Sequence, residues 1–449
     1  MSNPADSNDK QSKPSTMRAM RSRHRQMSHD TAHSDAAGSA PAAGPLDHAL
    51  VPRNAAPLVS SQGDLAALVA RLRATGTFAY DSEFIGELTY IPKLCLIQVA
   101  TADEVALIDP LASLDLLPFW DLLCDPAVLK IVHAGQQDVE PVFRLTGRAP
   151  ANLFDTQIAA GFVGMNYPLA LTKLIFELLG HRVGKGLTVT NWDHRPLTHQ
   201  QLHYAADDVR YLPAVHAELL RRLTKAGHAE FAIEESAALC DPALYRFDAG
   251  TACRRIRGSI GLAPQNMAVL RELVTWRDQA AQAEDLPSRS VVTDQVLLDM
   301  ARRPPRDLAS LDRVKGLPRP VEEQHGSSLI QAVQRAMAMP ASDHPVARFH
   351  EPAPAEQFRG DALWAVIECL CFGRGIDPSL VTSRQEITQL LHQRQTGGTN
   401  GGLRLTSGWR NKAVGGDILR LLDEGVGFTV TSQDGRFAAS GLHPVAHGA

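Results

Sequence analysis

The stretch TFAYDSEF, residues 77–84, is a short apolar run with two acids set two positions apart. Flanked by turn-like residues, it reads as a β-strand. Two similar runs follow, KLCLIQVAT (93–101) and EVALIDP (104–110). A fourth, LKIVHA (129–134), leads into a helix from about Gln136. Ahead of them, DLAALVARLRATG (64–76) has the spacing of an amphipathic helix, stopped by Gly76. Beyond them, helices alternate with loops as far as THQQLHYAADDVRYLPAVHAELLRRL (198–223). There Thr198 and Gln201 predict a capping-box start, and Pro213 predicts a kink. Three consecutive strands with short connections, followed by strand–helix alternation, predict a mixed α/β sheet with helices on both faces.

Successive side chains on a strand alternate faces, so Asp81 and Glu83 point the same way. Tyr204 and Asp208 are four apart on a helix and share a face. Asp138, in KIVHAGQQDVE (130–140), lies early in the helix after a strand, near the strand's carboxyl edge, where open α/β sheets place their sites. D-x-E is common by chance, an acid at a helix start can simply favour the helix dipole, and a tyrosine can simply be core. The joint pattern is far more specific than any part. Four carboxylates around one point offer the oxygen ligands that Mg²⁺ and Mn²⁺ prefer. Two such ions 3.5–4 Å apart activate a water and stabilise a leaving oxygen, the equipment for cutting phosphodiester bonds.

Composition bounds the rest. The 449 residues exceed one core, and 44% are hydrophobic, so two or three folded domains are expected. No apolar run reaches a membrane span, and the start lacks a signal-peptide layout, so a cytoplasmic protein is expected. The six cysteines have no zinc spacing and read as reduced thiols. The net charge of −4 runs against the basic footprint of nucleic-acid binders, although a carboxylate metal site is neutralised by its ions. Residues 1–55 read as a disordered tail with a basic cluster at Arg18, Arg21, Arg23 and Arg25. Residues 56–230 form the α/β domain and 231–262 a connecting segment. A helical domain is expected over 263–340, a second helical block of similar layout over 356–427, and a C-terminal tail over 428–449.

The pattern resembles the DEDD superfamily of 3′→5′ exonucleases, in its tyrosine-bearing branch, and within that branch the ribonuclease D family. The resemblance rests on DSEF (81–84), HAGQQD (133–138), FDTQIAAGFVG (154–164) and TNWDHRPLTHQQLHYAADDVRYL (190–212). WRDQAAQAEDLPSRSVVTDQVLLDMARRPP (276–305) resembles the HRDC domain, and GWRNKAVGGDILRLLDEG (408–425) does so less clearly. The resemblance implies a ribonuclease H-like exonuclease domain followed by all-α HRDC-type domains. It implies that Asp81, Glu83 and Asp208 bind two divalent metal ions (Mg²⁺ or Mn²⁺), that Asp138 completes the second ion's shell, and that Tyr204 holds the attacking water. A tyrosine of ordinary pKa about 10 is a weak base, so its role is orientation. No departure occurs at these five positions.

Three further substrate contacts are expected. Phe84 would stack on the terminal base, or else be a core aromatic. His133 would reach the substrate or only orient a carboxylate. Lys185, in a Gly-flanked loop, would meet a phosphate or simply lie at the surface. Arg254, Arg255 and Arg257 would guide RNA or pair with acids. The expected activity is metal-dependent 3′→5′ exoribonuclease trimming of structured RNA such as tRNA precursors, with release of nucleoside 5′-monophosphates. The alternatives are a DNA exonuclease and a nucleic-acid-binding scaffold. RNA is the expected partner, with no membrane and no obligate protein partner, and the chain is taken as a monomer.

Overall fold

The helix ahead of the first long strand runs Gln62–Thr75 (α1); Ser61 caps it by accepting from the Asp64 N–H, and Gly76 ends it at φ 72°. The computed structural model describes residues 44–184, 190–345, 353–397, 402–424, 426–433 and 436–444. These divide into two units. One holds residues 86–92 and the chain from 248 to 345, the other the remaining described residues.

The larger unit is built on a six-stranded sheet of β1 (Leu58–Val59), β2 (Thr77–Ile85), β3 (Lys93–Ala100), β4 (Val105–Ile108), β5 (Leu129–Val132) and β6 (Leu153–Asp155). The order is β1-β4-β3-β2-β5-β6. The β2–β3 and β3–β4 pairs are antiparallel and the others parallel, giving the expected mixed sheet. Helices α2 (Leu117–Leu123), α3 (Gln136–Thr146), α4 (Thr156–Ala160), α5 (Leu171–Leu179), α6 (His199–Arg210), α7 (Leu212–Ala226) and α8 (Ala229–Ala237) follow in the chain. Strand alternation sorts the two cores. Phe78, Tyr80, Ile97 and Val99 pack on the face that buries Leu65, Phe119 and Val139. Ala79, Ala100 and Val105 pack on the face that buries Ala206 and Val209 of α6. The α6 start has the predicted capping box, and Pro213 falls at the start of α7, where its missing N–H costs nothing.

The smaller unit is helical: α9 (Ala249–Arg255), α10 (Pro264–Glu284), α11 (Ser288–Val291), α12 (Asp294–Arg302), α13 (Leu308–Leu311) and α14 (Arg319–Met337). Leu270, Leu273, Leu297, Leu329 and Val333 form its core. Residues 86–92, which link β2 to β3, belong to it: the Tyr90 hydroxyl donates to Asp278 at 2.9 Å and its N–H to Asp285 at 3.1 Å. Arg254, Arg255 and Arg257 are exposed.

Three expected boundaries are corrected. The ordered chain starts ahead of residue 56: Val51 is buried in the core, and the buried Arg210 guanidinium donates to the carbonyls of Pro52 and Asn54. The second helical block is not a free-standing domain. Its helices α15 (Pro354–Arg374), α16 (Pro378–Val381), α17 (Arg384–Gln395) and α18 (Gly416–Asp423) share a core with α4, α7 and α8. Gly164 N–H donates to Gly375 O at 2.7 Å, Trp409 Nε1 donates to Glu235 at 2.7 Å, and Trp409 meets Phe162 edge-on at 4.6 Å. Residues 428–449 are not simply a tail. Strands β7 (Val426–Gln433) and β8 (Arg436–Pro444) pair antiparallel. The Asp434-Gly435 dipeptide between two alternating runs is the hairpin signal that composition concealed. Residues 1–43 lie outside the described residues. Among those described, all six cysteines are free and no helix is long and apolar enough to cross a membrane.

Candidate active site

Strand β2 pairs Asp81 with Gln98 and Glu83 with Leu96, and its register shifts between Glu83 and Phe84. The alternation sends Asp81 and Glu83 to the face covered by α6 and sends Tyr80 and Ser82 to the other face. There they hold Asp138 near the start of α3. Ser82 donates to Asp138 Oδ1 through its hydroxyl at 2.8 Å and its N–H at 3.2 Å. The Tyr80 hydroxyl donates to the Asp138 carbonyl at 2.7 Å. One strand thus supplies two acids from one face and grips a third from the other. Helix α6 brings Asp208 and Tyr204 one turn apart over the Asp81 face, and the Tyr204 hydroxyl donates to Asp208.

The acids sense one another. Burial, then the charges of Asp138, Asp208 and Glu83, push Asp81 well above the usual carboxylate range. The Asp81 and Asp138 carboxyl groups interact directly, which lowers Asp138 against the effect of its burial. Burial lifts Asp138 to about 6 against the opposing Ser82 hydrogen bonds. It lifts Asp208 to about 7 and, with the charges of Asp208 and Asp138, Glu83 to about 8. Burial and the nearby acids push Tyr204 far above the ordinary phenol value, so it is a donor rather than a base. Burying several like charges is unfavourable unless a cation joins them. The hard oxygen donors suit a divalent metal ion. Among the described residues, no three His, Cys, Asp or Glu side chains are already arranged to grip an ion.

The approach of Asp138 depends on Asp155. Its carboxylate accepts from the N–H groups of Ala134, Gly135, Gln157 and Ile158 at 2.8–3.3 Å. That clamp holds Ala134 at φ 56°, a strained value for a residue with a Cβ, in the turn from β5 into α3. Gly135 has no room for a Cβ, which would stand 2.5 Å from that of Val132.

Both ring nitrogens of His133 meet protein groups. Its Nε2 donates to the Leu169 carbonyl at 3.0 Å and its Nδ1 meets the Thr156 hydroxyl at 2.9 Å. A carbonyl can only accept, so Nε2 donates to Leu169; the Thr156 hydroxyl in turn donates to the Val132 carbonyl at 3.0 Å, and burial lowers the ring's pKa. Phe84 follows the bulge beside Glu83 and is partly exposed. Lys185 lies outside the described residues.

Reading the sequence missed Ser82 and Asp155, whose partners are distant or whose acid looks like an ordinary helix cap. It also missed Gln98, buried opposite Asp81, whose side-chain amide has no partner among the described residues.

Comparison with known proteins matches residues 58–224 to the 3′-5′ exonuclease family and residues 266–333 to the HRDC domain family. The chain is 34% identical over 372 residues to the ribonuclease D of Gluconacetobacter diazotrophicus, spanning 82% of this chain and 92% of that one. It is 37% identical over 283 residues to that of Nitrobacter hamburgensis, spanning 63% and 74%. The crystal structure of Escherichia coli RNase D, described as an exoribonuclease involved in structured RNA processing, superposes with a TM-score of 0.71 at 31% identity, over 82% of this chain and 98% of that one. Likeness over such lengths, joined to an acid-lined mixed sheet and an HRDC domain, makes this chain a member of the ribonuclease D family, a 3′→5′ exoribonuclease.

Proposed function

We propose that the chain trims the 3′ ends of structured RNAs, tRNA precursors among them, by two-metal-ion hydrolysis, and releases nucleoside 5′-monophosphates. The observation that carries this reading is the convergence of four acids from β2, α3 and α6: the charges of Asp138, Asp208 and Glu83 all raise Asp81, and that of Asp138 also raises Asp208 and Glu83. Two divalent ions, when bound, would supply an activated water and stabilisation of the leaving 3′ oxygen. Asp81, Glu83 and Asp208 would ligate them, and Asp138, held by Ser82, would complete the second ion's shell. Tyr204 keeps its proton and so orients the attacking water through hydrogen bonding. Phe84, beside Glu83 at the bulge, would stack on the terminal base. The structured-RNA substrate is supported by the description of the Escherichia coli relative.

The test is a cleavage time course on 5′-labelled strands: a 3′-extended tRNA, an unstructured RNA and a matched DNA. Each runs with Mg²⁺, Mn²⁺ or EDTA, beside Asp81→Asn. The reading expects a metal-dependent ladder shortening from the 3′ end on RNA, halting at the tRNA stem, with nucleoside 5′-monophosphate as product. Equal degradation of DNA would refute the RNA assignment. Cleavage persisting in EDTA, or in Asp81→Asn, would refute the metal mechanism.

A further inference from the structure

The segment entering α6, TNWDHRPL (190–197), is pinned by one side chain. Arg195 has five N–H donors in a fixed fork, and each has an acceptor. Nε and Nη2 reach the two Asp109 oxygens at 2.7 Å each, and Nη2 also reaches the Cys95 carbonyl at 2.7 Å. Nη1 donates to the carbonyls of Trp192 at 2.8 Å and His194 at 2.9 Å. Asp109 follows β4 and Cys95 lies in β3, so the guanidinium ties the segment to the end of the sheet and closes it on itself. Gln201, in the first turn of α6, holds Asn191 O at 3.3 Å from the other side.

The pinned segment presents Trp192. The indole is 6% exposed and lies among Cys95, Leu96, Leu107, Leu197 and Ala205. Its ring centre stands 6.2 Å from that of Tyr204, tilted by 35°. Tyr204 is only partly buried, so its ring needs a wall to favour one rotamer. Its hydroxyl is the group that must point correctly, and catalytic geometry tolerates little error.

We infer that Trp192, held by the Arg195 clamp on Asp109 and Cys95, is a positioning residue that fixes the direction of the Tyr204 hydroxyl. The inference rests on the reading of Tyr204 as the group that orients the attacking water. Trp192 and Arg195 act through that phenol.

A double-mutant cycle on the full chain tests it. Trp192→Leu, Trp192→Phe, Arg195→Lys and Tyr204→Phe are prepared singly, and the first three again in the Tyr204→Phe background. kcat and KM are measured on a 3′-extended RNA with Mg²⁺, and melting curves record folding. Trp192→Leu leaves the Arg195 clamp intact, so it carries the test even where Arg195→Lys unfolds. Expected are a kcat loss of about 10- to 100-fold for Trp192→Leu and Arg195→Lys, with KM changed by less than about twofold. Trp192→Phe, which keeps a ring, recovers most of the rate. In the Tyr204→Phe background the same changes cost less than about twofold more. Losses that multiply in the double variants, or full activity of both Trp192→Leu and Arg195→Lys beside a slow Tyr204→Phe, would overturn the inference alone. A fully active Tyr204→Phe would overturn the reading of Tyr204 and the inference with it.

Discussion

Asp208→Asn should stabilise the metal-free protein while abolishing its activity. Burial and neighbouring acids lift Asp208 from 3.8 to about 7. An acid whose pKa is raised on folding costs nothing below its unfolded value, and its penalty grows with pH until the folded value is passed. At about 1.4 kcal/mol per unit, roughly three units give an upper bound of about 4 kcal/mol at pH 8. Water reaches part of this carboxylate, and asparagine still buries an amide, so about 2 kcal/mol should remain as the gain. For a domain of this size that is a rise of about 4–8 °C in melting temperature. About a third of it should survive at pH 5, because the penalty accumulates between pH 4 and 7. The Asn oxygen can still accept from Tyr204. The assay is thermal unfolding in EDTA at pH 5 and pH 8, then at pH 8 with Mg²⁺. Metal should raise the parent more than the variant, since only the parent keeps its full ligand set. A variant that melts at or below the parent at pH 8 in EDTA, or a gap that ignores pH, would refute the account of an acid cluster relieved by cations.

Asp81→Asn should eliminate cleavage and leave RNA affinity within about threefold in a gel-shift titration, because one ligand is lost and the groove is kept. Ser82→Ala removes both the hydroxyl donor to Asp138 and the packing that aims it, and should lower kcat about tenfold with little change in melting temperature; an unchanged kcat would show that Asp138 holds its place without Ser82. Asp155→Ala leaves four backbone N–H groups without their acceptor and frees the strained turn at Ala134. It should cost about 3 kcal/mol in urea unfolding, and a loss under about 1 kcal/mol would remove Asp155 from its structural role.

Two kinds of information separate in this chain. The acidic pair on β2 was legible because strand alternation is local: Asp81 and Glu83 share a face wherever that strand goes. The Tyr204–Asp208 pair and the Thr198–Gln201 capping box follow from helical spacing in the same way. The second helical block was misjudged for the opposite reason. Its helices are periodic and pack on one another, but their apolar stripes also find partners in α4, α7 and α8. The partners of His133 were not legible, because they are set by the positions of Thr156 and Leu169, 23 and 36 residues away.

The sequence by itself determined the elements, their faces and the types of ligand, because these depend on periods of two and of about four residues and on side-chain chemistry. Only the tertiary structure decided how the acids meet. Ser82 reaches Asp138 across 56 residues, and Arg195 reaches Asp109 across 86. Asp155 reaches back to Ala134 to steer α3. Such contacts have no local signature, since any polar side chain can make them and chain folding alone brings the partners within 3 Å.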